Sequence, residues 1–305
     1  MDIIEMKQDA TGNWHVYKAD GTELDISAST TDGLQEAINE AVNNGYELKV
    51  VGRGINSAGA PSGQKAMINC STPIYVPIIH NQRWSIGPCT IAFGAEVLTD
   101  GFVFDSCMQF ECEFHGEIYY QGNNAAVLLL PRTPLQLDPD TGIKNSRFFF
   151  KTIIGSNQPN SACIRSVVQN HGVCHNDFEF LELRGGGYGF HVCETGQASD
   201  VGFFGNQVKC PHVHYQAAMG AQIGNIGNSN ISGNSYDLVF ATKAGAVGME
   251  TMDKGSIIKA SVLQVEGLAN VGVRLMPQSN NNLLLRGLIA ATTQIQNSGQ
   301  NNRVV

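Results

Sequence analysis

Asn176-Asp177-Phe178-Glu179-Phe180 sets an asparagine directly before an alternation of charged and apolar residues. That alternation is the period of a strand with one buried face. The arrangement recurs. Asn145 precedes Phe148-Phe149-Phe150, Asn206 precedes Val208 and Cys210, and Asn234 precedes Tyr236 and Leu238. Asn282 precedes Leu284, and Asn302 precedes Val304. The first steps are about 30 residues and the last about 20, which is the range of solenoid repeats. Between Asn234 and Asn282 there is room for two repeats, with Ile257 to Val265 as the intervening strand. Asparagine suits this position for two reasons. It tolerates a left-handed turn, and its amide can bond its counterpart one repeat away, about 4.8 Å along a stack. A β-sandwich also yields many short strands, but hairpin turn pairs are scarce after residue 101.

Composition agrees with stacked β structure. Only 15% of the 305 residues are charged, against about 25% in an average soluble domain. The polar residues are often amides and hydroxyls, which can sit in rows where like charges would repel. The net charge is −8, and no block of Lys or Arg is present to neutralise phosphates, so nucleic-acid binding is not expected. No apolar run is long enough to span a membrane. Met1 to Thr11 carries acids and no apolar run of signal-peptide length, which predicts synthesis in a cytoplasm without a secretion signal.

Cys70, Cys89 and Cys107, and again Cys174, Cys193 and Cys210, follow one another at steps of about 18 to 20 residues, which predicts one thiol per repeat. There is no CxxC pair to suggest a zinc site, so the expectation is buried thiols acting as small hydrophobes. No metal and no cofactor are implied. Gly185-Gly186-Gly187 lacks the Lys-Ser/Thr of a phosphate loop and reads as a tight turn.

Two regions stand apart from the repeats. Residues 1–27 form a small separate element, with an apolar-rich run at Trp14 to Tyr17 and a hairpin turn signal at Asp20-Gly21. They read either as an attachment arm or as a hairpin packed on the body. Residues 32–44 read as the one clear helix. Leu34, Ala37, Ile38, Ala41 and Val42 share a face, Thr31 or Asp32 can cap the start, and Asn44-Gly45 ends it. A strand, Glu47 to Val51, follows. A lone amphipathic helix ahead of a β-rich chain predicts a cap over the open end of the stack.

The segment TTDGLQEAINEAVNNGYELKVVGRG, Thr30 to Gly54, resembles the entry segment of pectate-lyase-like parallel β-helix proteins: an acidic turn, an amphipathic Ala/Ile-rich helix, a glycine, then a strand. Here the strand runs into Val51-Gly52-Arg53-Gly54-Ile55 in place of the usual Pro-Gly-x-Tyr ending. The family members it most resembles are bacteriophage tailspikes and related tail proteins. That resemblance implies a homotrimer that binds cell-surface polysaccharide, a virion location, and docking to a tail or baseplate protein through residues 1–27. The expected architecture is all-β: a right-handed parallel β-helix over residues 28–305 with an N-terminal capping helix. Two alternatives stand beside the tailspike reading, a polysaccharide lyase or glycoside hydrolase not attached to a virion, and a non-catalytic structural tail protein.

Depolymerase chemistry has candidate residues. Alternation turns Glu111, Glu113 and His115 outward beside inward Phe110, Cys112 and Phe114, and turns Asp177 and Glu179 outward beside Phe178 and Phe180. Outward neighbours on a strand lie about 6.6 to 7 Å apart. Glycoside hydrolysis needs two carboxyls, about 5 to 5.5 Å apart for retention and about 6.5 to 9.5 Å for inversion. Glu111, Glu113, Asp177 and Glu179 are the candidate catalytic acids, and His115, Tyr119 (with Tyr120 beside it) and Arg184 the candidate sugar contacts. The bland reading of the same acids is a solvated strand face. Eliminative cleavage would instead use a base and a cation, for which Arg165, His171, His175 and Arg184 are the candidates. His171-Gly172 is similar to the Gly-His-Gly of polygalacturonases, with Asn170 in place of the first glycine. That family's paired aspartates and Arg-Ile-Lys element are not found, so its roles are not carried over. His191, His212 and His214 read as structural.

Overall fold

The computed structural model describes residues 2–52, 66–132, 141–168, 171–194, 202–224, 230–263 and 269–305. Among these residues the strands form sheets of 14, 9 and 6 strands and there is one α-helix. Pairing between strands is parallel throughout, save that Ile3–Gln8 and Trp14–Tyr17 are antiparallel. The chain visits the sheets in a fixed order. Asp177–Gly185 lies in the first sheet, Tyr188–Glu194 in the second and Gly202–Phe204 in the third. Gln207–His214 then returns to the first sheet, beside Asp177–Gly185. The protein is thus all-β with long parallel sheets, an arrangement compatible with a parallel β-helix.

Strand alternation builds the interior. In the first sheet Trp84, Cys112, Phe148, Phe178, Val208, Tyr236, Ile258 and Leu284 are in register and buried. The rings of Phe148 and Phe178 stack with centroids 5.3 Å apart, which adds a favourable offset contact to their burial.

Asn176, Asn206, Asn234 and Asn282 are buried and, with half-buried Asn302, form a ladder. Asn176 accepts the Ser146 N–H on its side-chain oxygen at 2.9 Å. Asn206 accepts the Asn176 N–H at 3.0 Å, and Asn234 the Asn206 N–H at 2.9 Å. Ser256 continues the series for Asn234, Asn282 for Ser256, and Asn302 for Asn282. Each side-chain amide also donates to a main-chain carbonyl of the third sheet or its continuation: Asn176 to Ile143, Asn206 to Val173, Asn234 to Phe203, Asn282 to Asp253 and Asn302 to Ser279. The intervening strand is Ile257–Val262, shorter than read, and Val265 lies outside the described residues.

Two expectations are corrected here. The left-handed turn and the ladder bond fall to adjacent residues, not to one asparagine. Asn145, His175, Asn281 and Asn301 take positive φ, as do Gly205, Gly233 and Gly255, and the residue after each occupies the ladder. Asn145 is therefore the turn residue and Ser146 the ladder residue. The cysteines do not recur at one position of the circuit either, although Cys70 and Cys89 lie on the paired strands Ala66–Cys70 and Cys89–Phe93. Cys174 is in the third sheet, Cys193 in the second and Cys210 in the first. A circuit there spans 30 residues, so the cysteine step carries the chain from sheet to sheet. All eight cysteines are buried and none forms a disulfide.

Residues 3–8 and 14–17 join the first sheet, Ile3–Gln8 pairing with Glu47–Val51. Ile4, Met6 and Val16 are buried in the main core, and the Trp14 indole N–H donates to the Met67 carbonyl at 2.7 Å. Asp20-Gly21 makes a turn closed by the Lys18 N–H on Thr22. The helix α1 spans Leu34–Asn44 and buries Leu34, Ala37, Ile38 and Ala41. It starts later than read because Asp32 and Gly33 take left-handed φ. Thr31 still serves the first turn, its hydroxyl accepting the Gln35 N–H at 3.1 Å. Asp32 instead accepts the Asn69 N–H at 2.7 Å. Gly45 and Tyr46 close the helix on Val42 and Ala41. Arg53-Gly54-Ile55, which follow the strand Glu47–Val51, lie outside the described residues. No helix among the described residues is long and apolar enough to cross a membrane.

Two measurements check this account. Asn206→Ala strips partners from the buried Asn176 N–H and Val173 carbonyl. Urea unfolding will show a loss of about 2 to 5 kcal/mol, whereas exposed Asn39→Ala will lose less than about 0.5 kcal/mol. The second concerns His191, which is buried against Tyr188 with its Nε2 3.0 Å from the Cys193 sulfur. Burial, and then Arg165 alongside, lower its pKa to about 3. An unfolded histidine takes up its proton at about 6.5. The unfolded state therefore binds more protons between those values, and stability falls as the pH drops through the interval. Urea midpoints at near-neutral and mildly acidic pH will show that fall, and His191→Gln will reduce it.

Candidate functional site

The first sheet is bent, and the bend divides its outer face. In Glu111–Tyr120 the first half pairs with Arg83–Ile86 and the second with Cys89–Phe93. The register shifts between Phe114 and Glu117 where the strand meets Arg147–Gly155. Gly116 occupies the bend because a Cβ there would run into the Cys89 carbonyl.

On the far side of the bend, one row of outward positions crosses seven strands in register: Asn69, Ala92, Tyr119, Ile154, Arg184, His214 and Ala241. At a strand spacing of about 4.8 Å this row is about 29 Å long. Over its middle lies a cleft of ≈ 930 Å³ lined by Tyr119, Gln121, Asn157, Arg184, Tyr215 and Lys243, among others. A neighbouring depression of ≈ 460 Å³ shares Tyr119 and Gln121 and continues past Asn69, Ser71 and Asp32. The larger volume is in the range of ligand-binding clefts.

The side chains of the cleft hold one another. The Gln121 amide donates to the Tyr119 hydroxyl at 3.0 Å, and Tyr119 is 39% exposed. Tyr215 sits at a corner with φ 64, and the Arg184 guanidinium lies 5.7 Å above its ring centre. At that distance the cation is attracted to the face of the ring. Next to Tyr215, His214 Nε2 is 2.6 Å from Glu182 Oε1, and Thr152 donates to the other Glu182 oxygen at 3.3 Å. Gly185-Gly186 form the tight turn expected, both with positive φ. Tyr120 points inward, and its buried hydroxyl donates to the Thr99 carbonyl, so it is no sugar platform.

The four candidate acids lie elsewhere, before the bend. Glu111 stands in register between Arg83 and Arg147, 3.3 Å from each. Arg147 also reaches Glu113 at 3.5 Å and Glu179 at 3.7 Å, and His115 lies 3.4 Å from Glu113. Asp177 is in register with Arg147. Beyond it the signs alternate across strands through Glu179, Lys209, Asp237 and Lys259. The structure therefore gathers Glu111, Glu113 and Glu179 around shared arginines, and none of the four acids lines the cleft. Of the candidate sugar contacts, Tyr119 and Arg184 line the cleft together and His115 does not. Of the elimination candidates only Arg184 lines it. Arg165 faces out from the second sheet, where it donates to the Asn160 carbonyl at 2.6 Å, and His175 takes a corner. Asn170 lies outside the described residues.

Tyr215, Lys243, Gln121 and Asn157 escaped the sequence reading. A signal was present for part of the row, since Arg184 and His214 stand at equal distances after the ladder residues Asn176 and Asn206. Comparison with known proteins finds no matching family model, no matching curated protein and no matching solved structure.

Arg147→Gln will leave three carboxylates without their shared cation. The group is exposed, so the loss measured by urea unfolding will be below about 1 kcal/mol. It will shrink as salt is raised, because added ions screen surface pairs.

Proposed function

We propose that the chain is a right-handed parallel β-helix, capped by α1, whose cleft binds an extended cell-surface polysaccharide. The observation that carries this reading is the alignment of Tyr119 and Arg184 in one register row, opening with Tyr215 onto one cleft. Aromatic faces pack against the C–H faces of sugars, while the amides of Gln121 and Asn157 supply hydrogen bonds to hydroxyls. A row set by strand stacking is straight, which suits a linear polymer better than a compact metabolite. The tailspike-like virion role and the homotrimer rest on the resemblance of Thr30 to Gly54, and docking through residues 1–27 rests on the same resemblance.

Cleavage is the second reading. The His214–Glu182 pair favours it, because a carboxylate holding one ring nitrogen leaves the other available as a base. The acids around Arg147 favour it less, since they are bound to arginines away from the cleft.

Affinity electrophoresis against a panel of bacterial and algal polysaccharides tests the binding reading. The chain will be retarded by at least one polymer, and Tyr119→Ala and Tyr215→Ala will each weaken that retardation about tenfold. Unchanged retardation in both variants, or none with any polymer, would sink the proposal.

A further inference from the structure

We infer that the cleft recognises an acidic polysaccharide, with one carboxylate held at Arg184 and another at Lys243. This deepens the polysaccharide-binding reading and rests on it. The chain carries −8 overall, which repels an acidic polymer at a distance. The larger depression nevertheless includes Arg184 and Lys243 in its lining and no Asp or Glu. Among the described residues neither cation makes an ion pair, whereas Arg83, Arg147, Lys259 and Arg274 all do. The nearby Glu182 is taken by His214 and Thr152.

Geometry adds the chemical class. The Arg184 guanidinium lies 5.7 Å from the Tyr215 ring centre, and both residues line the cleft. A guanidinium offers two parallel donors along one edge, which matches a planar carboxylate and gives the stronger, bidentate kind of hydrogen bond. Lys243 follows the strand that ends at Ala241, and Ala241 lies two strand steps from Arg184 in the row. At about 4.8 Å per step the two cations belong to positions about 10 Å apart along the polymer direction. A chain bearing carboxylates at intervals engages both, and the tyrosines hold the rings between.

The test uses the purified full chain with polygalacturonate, alginate and hyaluronan, each also in carboxyl-reduced form, and with dextran and dextran sulfate. At least one acidic polymer will bind, and its reduced form will bind at least tenfold more weakly. Arg184→Gln and Lys243→Gln will each weaken binding of the acidic form about tenfold with little effect on the reduced form. Lys209→Gln, on the charged row outside the cleft, will leave binding unchanged. Equal binding of acidic and reduced forms, or of dextran, overturns the carboxylate assignment and leaves polysaccharide binding standing. Dextran sulfate binding as tightly as the carboxylated polymer overturns it in favour of general anion attraction. Binding of none of these polymers overturns both readings together.

Discussion

A buried corner must satisfy its backbone, and this protein does so with one side chain per circuit. Where the chain turns from the third sheet back to the first, the main-chain N–H of each ladder residue points along the stack into the interior. An unpaired N–H there would cost about as much as a lost hydrogen bond. The side-chain oxygen of Asn176, Asn206, Asn234, Asn282 or Asn302 accepts it, and the amide of the same residue secures a carbonyl across the corner. Asparagine has both functions on one short arm. Serine has only the hydroxyl, and at Ser256 the difference is visible. The Ser256 hydroxyl accepts from Asn234 while donating to buried Asp253, which also receives Tyr236 and Asn234. Burial raises the pKa of that carboxyl, and four donors hold it in place.

Register follows from the corner. Once each circuit is pinned at the same point, the alternation that follows falls in step from strand to strand. Phe148 then lands on Phe178, Arg147 lands between Glu111 and Asp177, and Tyr119, Arg184 and His214 fall on one line. The aromatic interior, the alternating charges and the cleft are three readouts of one alignment. They differ only in how many residues past the corner they lie and which way strand alternation turns them.

This also explains what could be read from the chain alone. Alternation within a strand is local, so the outward Glu111, Glu113, Asp177 and Glu179 and the inward phenylalanines were legible. The recurrence of asparagine was legible too, down to the extra circuit at Ile257. Assigning Asn145 to the ladder failed because turn and ladder residues are adjacent and both tolerate asparagine; only the backbone separates them. The cysteine spacing misled because a step of that size crosses between sheets as readily as it closes a circuit. The cleft depends on Tyr119, Arg184, Tyr215 and Lys243 being neighbours across successive circuits, and nothing local marks residues so far apart. Pairing of the acids with Arg83 and Arg147 was hidden for the same reason.

The circuits are unequal, and that inequality matters. Successive ladder bonds join residues 30, 28, 22, 26 and 20 apart, yet a positive-φ residue precedes the ladder residue at each corner. Length is absorbed elsewhere: the chain runs from Glu194 to Gly202 between second and third sheets in one circuit, and from Thr251 to Lys254 in another. One edge of the molecule is thus invariant and the others are editable. A lineage, or a designer, can lengthen a connection, graft a new loop or reshape what the surface displays, while the stack beneath keeps its phase.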